Sequence, residues 1–423
     1  MENLINTLEG VLELTQDSTI KVMGVGGGGC NAINYLYSQG VQGVTYLVCN
    51  TDKQSLERSS VPAKLQLGPG LGAGGKPEVA EDYAEQNTDR IKEALNDGTK
   101  MLFLTAGMGG GTGTGASAVV ASVAREMGIL TVGIVTIPFA FEGKKKIMKA
   151  MTGVAKLAEQ VDAILVINNE KLCQIYPDFN MLNAFKKSDD VVANAARAIA
   201  EIITVPGHIN TDFADVYNTL KNGNVAIMSV GRSGGENRIT NAISEALHSP
   251  LVNSDVCGAA RLLLQIYCSE EHAVLMSEIE QIHAFVDDIG KDVDVQWGIS
   301  VDDNLGEDVR VTIIATGFEM SDIPGLEDAP VGKKSVDDAI KHYYEDQSQT
   351  PQDKTTKAPQ EKPEEPGTVE IDLEVVSPTP VEERKEEDDL LLRLFDDVPA
   401  AQAESSKDSR SFLGAGWLRG RNK

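Results

Sequence analysis

Short apolar runs recur along the first half of the chain, and each one ends in glycine or polar residues. Runs of this length that stop at turn residues predict buried strands. Helical spacing of apolar positions follows several of them, up to residue 37, over residues 79–95 and over residues 116–127. This alternation predicts an α/β fold with a parallel sheet. Its strands are expected at residues 19–23, 44–49, 101–106, 130–136 and 163–167.

A longer helical pattern crosses the middle of the chain and stops at Pro206 and Gly207. Beyond it, strand patterns alternate again with helical ones. We therefore expect two α/β domains, at residues 19–179 and 208–320, joined by a central helix over residues 180–207. The second domain has predicted strands at residues 224–231, 261–268, 293–299 and 309–317, and predicted helices near residues 236–248 and 274–288.

The two ends of the chain differ in composition from its middle. Residues 1–18 carry a weak amphipathic pattern and are predicted to form an N-terminal arm. Beyond residue 321 the composition changes, and residues 347–385 are rich in Pro, Glu, Lys, Thr and Gln and nearly free of aromatic residues, so we expect a disordered linker at residues 321–385. Residues 386–423 contain apolar and aromatic side chains, among them Trp417. Such groups in a disordered tail favour a docking segment.

Charge and cysteine content argue against several classes of function. The 38 Lys and Arg against 64 Asp and Glu give 38 − 64 = −26, so a nucleic-acid partner is not expected. The five cysteines show no CxxC spacing, which favours reduced thiols in a cytosol over a disulfide framework or a zinc site. No run approaches the ~18 apolar residues of a membrane-spanning helix, so we expect a cytoplasmic chain without a membrane span.

The densest cluster of glycines lies at residues 107–115 (GMGGGTGTG), between a predicted strand and a predicted helix. Without Cβ atoms, successive backbone N–H groups can converge on an anion at the positive end of the helix. Two threonine hydroxyls add further donors. The pattern therefore predicts a di- or triphosphate site, and the absence of a GxxxxGK[ST] sequence excludes a P-loop. A flexible turn is the structural alternative, which an ordered strand-to-helix position disfavours.

Two more glycine loops lie at residues 24–29 and 70–75. Residues 24–29 satisfy GxGxxG, a dinucleotide fingerprint, and Asp52 follows the next strand, where a Rossmann protein places its ribose-binding acid. An NAD-dependent dehydrogenase is therefore one interpretation of the first loop. It leaves the other two loops unexplained, whereas a pocket around a whole triphosphate uses several loops from neighbouring strands.

The sequence GMGGGTGTGA at residues 107–116 resembles the signature of the tubulin/FtsZ family of GTPases, and residues 19–318 are most similar to its bacterial cell-division branch. The resemblance implies a Rossmann-like GTP-binding domain, a smaller α/β domain and a disordered C-terminal tail. It implies GTP or GDP as the bound nucleotide, together with Mg²⁺. The three glycine loops and the end of the second strand would bind it through Gly26, Gly27, Gly28, Cys30, Asn31, Asn50, Asp52, Gly74, Gly107, Gly109, Gly110, Gly111, Thr112, Gly113 and Thr114.

The resemblance adds a ribose and base side to this pocket. Glu142 matches the family's ribose-binding acid, and Asn169 matches a guanine-contacting asparagine. Lys146 stands where the family has an arginine, and because lysine lacks the bidentate fork we expect a weaker contact. Phe185 can stack on a base, and Asp190 can accept from the paired N1–H and N2–H of guanine. Spacing alone favours an exposed helix acid for Asp190, and the resemblance reverses that preference.

Two acids stand near the start of the second domain, in the sequence NTDFADV at residues 210–216. Asp212 and Asp215 would face one way on a helix, where they could also serve as an N-cap and a first-turn acid. The resemblance implies instead a catalytic loop, including Asn210, that acts on the γ-phosphate of the next subunit. A helix of about twenty residues would put this loop roughly 30 Å from the chain's own pocket.

The resemblance further implies head-to-tail homopolymers that hydrolyse GTP at each junction and form the division ring at mid-cell. The C-terminal segment would bind membrane tethers and division regulators, although residues 397–399 and 412–421 match the family's docking peptide only in part. A tubulin-like filament protein that binds nucleotide without hydrolysing it is a second alternative. The presence of both Asp212 and Asp215 argues against it.

Overall fold

The computed structural model describes residues 19–41, 43–205, 207–209, 211–247, 258–289 and 293–319. The predicted N-terminal arm, linker and docking segment lie outside these residues, as does Asn210. The strands are β1 (Ile20–Val25), β2 (Val44–Asn50), β3 (Lys64–Gln66), β4 (Met101–Gly107), β5 (Leu130–Ile137), β6 (Ala163–Asn168), β7 (Gly207–Ile209), β8 (Asn224–Ser233), β9 (Arg261–Cys268), β10 (Asp294–Val301) and β11 (Val309–Phe318).

Helices alternate with these strands along most of the chain. They are α1 (Gly26–Ser38), α2 (Lys53–Arg58), α3 (Pro77–Glu85), α4 (Thr88–Leu95), α5 (Thr112–Glu126), α6 (Lys144–Ala158), α7 (Asn169–Ile175), α8 (Met181–Thr204), α9 (Phe213–Leu220), α10 (Arg238–Leu247) and α11 (Met276–Ile289). Short 3-10 turns occupy Ala140–Glu142 and Asp303–Leu305. No helix in the described ranges is long and apolar enough to cross a membrane.

The strands form one sheet in the order β3-β2-β1-β4-β5-β6-β8-β11-β9-β10-β7. The first six are parallel and follow the doubly wound order, so the chain reverses its direction of travel between the neighbours β1 and β4. Ligands of such sheets bind in the crevice at this reversal, beyond the carboxyl ends of the strands. The predicted α/β fold and its Rossmann-like first half are therefore confirmed.

The second half of the sheet is mixed, because β11 runs antiparallel to both β8 and β9 while β10 runs parallel to β9. It joins the first half through only two residue pairs, Ala163 with Asn224 and Ile164 with Val225. The two α/β units of the prediction are thus two halves of a continuous sheet with a narrow junction. The domain boundaries drawn from the sequence stay predictions.

Alternation along the strands produces a core on each face of the sheet. On β1, Ile20 and Val22 pack into one cluster, with α1 and α8, whereas Met23 and Val25 pack into the other, with α3 to α6. The long helix α8 packs on this face of the sheet beside α1; its 24 residues give a length of about 36 Å. Its position matches the predicted central helix.

The sequence analysis was wrong about one helix and missed another. The helix expected over residues 79–95 is two helices, α3 and α4, which are separated at Gln86 and Asn87. No helix was expected at residues 144–158, where the structure has the 15-residue helix α6. Its buried face, which includes Ile147, Met151 and Val154, has helical spacing that the sequence analysis did not use.

Candidate functional site

The central glycine turn lies where β4 meets α5. Gly109 has φ +94°, a conformation that L side chains rarely adopt, and its N–H donates to Thr114 Oγ1 over 2.9 Å. A Cβ on Gly110 would meet no atom within 4 Å, so open space lies in front of this residue. Within the part of the chain that the structure describes, no side chain caps the start of α5. Its first N–H groups therefore face a space that an anion can occupy.

The first glycine loop packs directly on the central one. A Cβ on Gly26 would lie 2.6 Å from the backbone nitrogen of Gly113, and a Cβ on Gly28 would lie 3.3 Å from the Cα of Gly107. Only glycine allows backbones to approach this closely. The N-termini of α1 and α5 consequently converge on the crevice between β1 and β4, where Gly27 also faces open space.

The residues that follow β1 and β2 support this crevice. Cys30 is buried, and its thiol contacts the carbonyl oxygens of Gly24 and Cys49 at 3.7 and 3.6 Å. Burial raises the pKa of Cys30 to about 12, so the thiol is neutral. Asn50 is also buried, and its Oδ1 accepts from the N–H of Asp52 over 3.2 Å.

Thr51 and Asp52, which follow β2, lie beside the central and third glycine loops. Asp52 caps α2 by accepting from the N–H of Gln54 over 3.0 Å. The hydroxyl oxygens of Thr51 and Thr112 lie 2.7 Å apart, which places a second hydroxyl beside the central turn. Sequence analysis missed Thr51, because a threonine next to an aspartate after a strand carries no signal of its own.

The third glycine loop packs against the central one. Gly74 and Gly75 both have positive φ angles, and a Cβ on Gly111 would lie 2.9 Å from the Cβ of Ala73. Lys149 of α6 donates from Nζ to the carbonyl oxygen of Gly75 over 2.7 Å. The structure therefore brings all three predicted glycine loops together.

Aromatic side chains and one ion pair line another side of the crevice. Glu142 forms an ion pair with Lys146 and accepts from the N–H of Phe139 over 3.0 Å. Phe185, at the start of α8, packs edge-to-face on Phe139 with ring centroids 5.1 Å apart, and its side chain stays partly exposed. The predicted ribose-binding acid and lysine are thus partners of each other.

Polar side chains near the start of α8 hydrogen-bond to residues of the neighbouring helices α1 and α7. Asn169 is buried, and its Oδ1 accepts from Ser188 Oγ over 2.7 Å. The side chain of Asn31, on α1, hydrogen-bonds to Asp189. Burial, followed by the charge of Asp190, raises the pKa of Asp189 to about 7.

Helix geometry separates the two neighbouring acids. Asp189 follows Phe185 by four residues and shares its face of α8, whereas Asp190 is turned about 140° from Phe185. Sequence analysis selected Asp190 as the base-contacting acid, and that selection stays a prediction. The contact with Asn31 and the shared face make Asp189 the stronger candidate.

The two predicted catalytic acids lie at the other end of α8. Asp212 caps α9 by accepting from the N–H of Asp215 over 2.9 Å, and the N–H of Asp212 donates back to Asp215 Oδ2 over 3.1 Å. This capping box is the structural role that the spacing also allowed. It fixes both carboxylates and leaves Asp212 Oδ2 and Asp215 Oδ1 outside the box.

Comparison with known proteins agrees with this geometry. The Tubulin/FtsZ family, GTPase domain, matches residues 19–177, and the FtsZ family, C-terminal domain, matches residues 224–319. The cell division protein FtsZ of Porphyromonas gingivalis is 50% identical over 307 residues, which cover 71% of this chain and 67% of that protein. The cell division protein FtsZ of Aquifex aeolicus is 42% identical over 314 residues, which cover 72% of this chain and 84% of that one.

A solved structure is similar over the same region. An empty FtsZ dimer of M. jannaschii superposes with a TM-score of 0.65 at 39% identity, and covers 73% of this chain and 91% of that one. The doubly wound sheet, the three converging glycine loops and the capped acids at the far end of a central helix define a tubulin-like GTPase that binds GTP and GDP. Within that class the chain belongs to the FtsZ family, the cytoskeletal GTPases of cell division.

Proposed function

We propose that this chain binds GTP in the crevice between β1 and β4 and hydrolyses it only where a second copy completes the site. The observation that supports this proposal most strongly is the distance between two sets of groups. The glycine loops stand at one end of α8, and Asp212 and Asp215 stand beyond its other end, about 36 Å away. Head-to-tail association brings the acids of one copy to the phosphates of the next.

Different pocket residues contact different parts of the nucleotide. Backbone N–H groups of the three glycine loops bind the phosphates, Glu142 and Lys146 contact the ribose side, and Phe185 stacks on the base. One of the two acids, Asp189 or Asp190, accepts hydrogen bonds from the guanine edge, and Asn169 orients that edge. Of the remaining predicted contacts, Cys30, Asn50 and Asp52 lie behind the phosphates, and Asn31 orients Asp189 on the base side.

Mg²⁺ would enter with the nucleotide. In the described ranges no three His, Cys, Asp or Glu side chains converge to hold a metal ion, so its ligands would be phosphate oxygens and water molecules. The hydroxyls of Thr51 and Thr112 beside the central turn fit this arrangement, because hydroxyl oxygens can contact the ion or its waters. Bound there, the ion would neutralise phosphate charge.

The acids of the neighbouring copy would orient the attacking water. Asp212 Oδ2 and Asp215 Oδ1 stay outside the capping box and can accept from a water at the γ-phosphate. The water oxygen forms a bond to phosphorus while the bond between phosphorus and the β–γ bridging oxygen breaks. The products are GDP and phosphate, and a carboxylate accepts the proton that the water loses. In a filament protein without hydrolysis, the capping box would be the only role of the two acids.

In the cell we place these filaments in the division ring at mid-cell, on the cytoplasmic side. The C-terminal segment, residues 386–423, would dock on membrane tethers and division regulators through its apolar and aromatic side chains. The net charge of the whole chain is −26, which gives no reason to expect a nucleic-acid partner. The dehydrogenase alternative is not favoured, because the second and third glycine loops would have no ligand to bind.

The proposal predicts that turnover depends on association. Phosphate release from GTP, measured per chain over a wide range of protein concentrations, should be close to zero in dilute solution and rise steeply as filaments sediment. A matched measurement of GTP binding to dilute protein should show a filled pocket throughout. Constant turnover per chain at concentrations where nothing sediments would show that one chain contains the whole site.

The raised pKa of Asp189 predicts that guanine recognition depends on pH. Only the carboxylate can accept both N1–H and N2–H, and it forms as pH rises through about 7. If ionised Asp189 alone binds guanine, GTP affinity should fall about tenfold from pH 8 to pH 6. Isothermal titration at several pH values measures this change.

Two amide variants identify the acid. Asp189→Asn should weaken GTP binding and remove most of this pH dependence, apart from the titration of the nucleotide's own phosphates. Asp190→Asn should leave binding near the parent level at pH 8. A larger loss from Asp190→Asn would restore the selection made from the sequence, and affinity that does not change with pH in the parent would exclude Asp189.

A further inference from the structure

Three buried polar side chains connect the loop of the catalytic acids to the sheet. Thr211 Oγ1 donates to Gln265 Oε1 over 3.0 Å, and Gln265 Nε2 donates to Ser300 Oγ over 2.9 Å. The three residues are 3%, 1% and 2% exposed. They belong to different parts of the chain, because Gln265 lies on β9, Ser300 on β10 and Thr211 directly before Asp212.

The cost of burying these groups indicates a specific role. An amide and two hydroxyls removed from water are tolerated only when hydrogen-bonded, and an apolar residue at position 265 would extend the run of Leu262, Leu263, Leu264 and Ile266. Gln265 instead places its amide between two strands and the loop. Each amide heteroatom has one partner, Thr211 on one side and Ser300 on the other.

The backbone around Gln265 is shaped to let Thr211 reach it. A Cβ on Gly298, in the neighbouring strand β10, would lie 2.3 Å from Thr211 Oγ1 and 2.6 Å from Gln265 Oε1. Glycine inside a strand is otherwise unfavourable, and it marks a place where another group approaches closely. The absence of a side chain at residue 298 therefore creates the space that the hydroxyl of Thr211 fills.

Thr211 is the last buried anchor before the acids. The short edge strand β7 pairs with β10, and Asp212 is exposed at the start of α9. The capping box fixes Asp212 and Asp215 relative to α9, but it does not fix the loop relative to the sheet. Beside the pairing of β7, the hydrogen bond from Thr211 to Gln265 links the residue next to Asp212 directly to the sheet, across a separation of 54 residues.

We propose that Gln265, acting through Thr211, is a positioning residue that holds Asp212 and Asp215 in the position that the pocket of the next subunit requires. This inference rests on the proposed action of the two acids across the junction. Small displacements of catalytic groups carry large penalties, up to about 100-fold for 1 Å. The network thus affects the rate of hydrolysis more than it affects the fold.

Kinetics of single variants give the first test. Thr211→Val keeps the shape of the side chain and removes its donor, and we expect kcat to fall about 10-fold while GTP affinity and sedimentation of filaments stay at the parent level. Thr211→Ser keeps the hydroxyl and should recover most of the rate. Gln265→Leu should match Thr211→Val, and the double variant should be no slower than either single one.

A matched variant separates position from general stability. Thr99→Val also removes a buried hydroxyl, which donates to Asp97 Oδ1 over 2.5 Å in the turn before β4, in the first half of the sheet. It should lower the thermal midpoint about as much as Thr211→Val does without changing kcat. Equal loss of kcat in the two variants would overturn the inference.

Mixed filaments test whether the effect belongs to the loop side of the junction. A chain with Asp215→Ala contributes an intact pocket, and a chain with Gly110→Trp, whose indole fills the open space at the central turn, contributes an intact acid loop. Thr211→Val placed in the Gly110→Trp chain should lower the recovered phosphate release about 10-fold. The same substitution placed in the Asp215→Ala chain should have no effect.

The possible outcomes distinguish the inference from the mechanism on which it rests. Equal loss from both placements would mean that Thr211 acts through folding or assembly, and the positioning role would be wrong. No recovery in the mixture without Thr211→Val, with co-sedimentation confirmed, would overturn the shared site itself and the inference with it. Loss from the loop-side placement alone supports both.

Discussion

The Asp215→Ala chain is expected to bind GTP like the parent and to release phosphate at least about 100-fold more slowly, which is the scale of losing a group that orients or accepts a proton. Its own glycine loops are untouched, so nucleotide titration should be unchanged. The loss should appear in kcat, because the carboxylate acts on the γ-phosphate of another copy. Phosphate release and GTP titration on the same preparation check both statements.

Asp215→Asn is the control for the structural role of this residue. An asparagine oxygen can still accept from the N–H of Asp212, so the start of α9 stays capped while the charge is lost. We expect an unchanged thermal midpoint and the same loss of turnover as with alanine. An asparagine variant that hydrolyses GTP like the parent would reduce Asp215 to a helix cap.

Mixing Asp215→Ala with a pocket-blocked chain, Gly110→Trp, should restore part of the activity that both chains lack alone. Only a junction between the pocket of the first and the acids of the second is competent. Random head-to-tail assembly at equal amounts forms about a quarter of all junctions in that arrangement. Recovery up to about a quarter of the parent rate is therefore expected, and recovery has no explanation in an enzyme whose site lies within one chain.

The first half of the fold could be predicted because its strands are buried on both faces. In β1, β4, β5 and β6 the apolar runs are nearly continuous and end at glycine, proline or asparagine, so the predicted bounds agree with the structure within about two residues. Helix α6 was missed because its apolar positions are not continuous and follow a charged start. It begins with three lysines, and its apolar positions become visible only when the pattern is followed past them.

The candidate site was predictable where backbone conformation required glycine. The open space at Gly27 and Gly110 and the close approach of Gly26 to Gly113 all depend on missing Cβ atoms, and glycine clusters are visible in a sequence. The choice between Asp189 and Asp190 depends on which face of α8 is turned to the pocket. The link between Thr211 and Gln265 joins residues 54 positions apart, and no local pattern reports such a contact.

Packing between two helices beside the pocket leads to the largest expected effect on stability. Gly115 lies in the first turns of α5, where a Cβ would stand 1.9 Å from the carbonyl oxygen and 2.7 Å from the carbonyl carbon of Pro77, the first residue of α3. Both neighbours are backbone atoms and cannot rotate away. A methyl group at this position must therefore separate the two helices.

Gly115→Ala is expected to destabilise the chain by about 1–3 kcal/mol, the usual range for overpacking of a rigid core. Helix propensity alone predicts the opposite sign, a gain of about 1 kcal/mol for replacing glycine by alanine inside a helix. The control is Gly110→Ala, because its new methyl group would meet no atom within 4 Å and its φ is not positive. That variant should unfold in urea close to the parent midpoint.

Since α3 begins directly after the third glycine loop, displacement of α3 should also weaken GTP binding in Gly115→Ala. A Gly115→Ala chain that unfolds at a higher urea concentration than the parent would show that α3 and α5 do not approach as closely as Pro77 and Gly115 require.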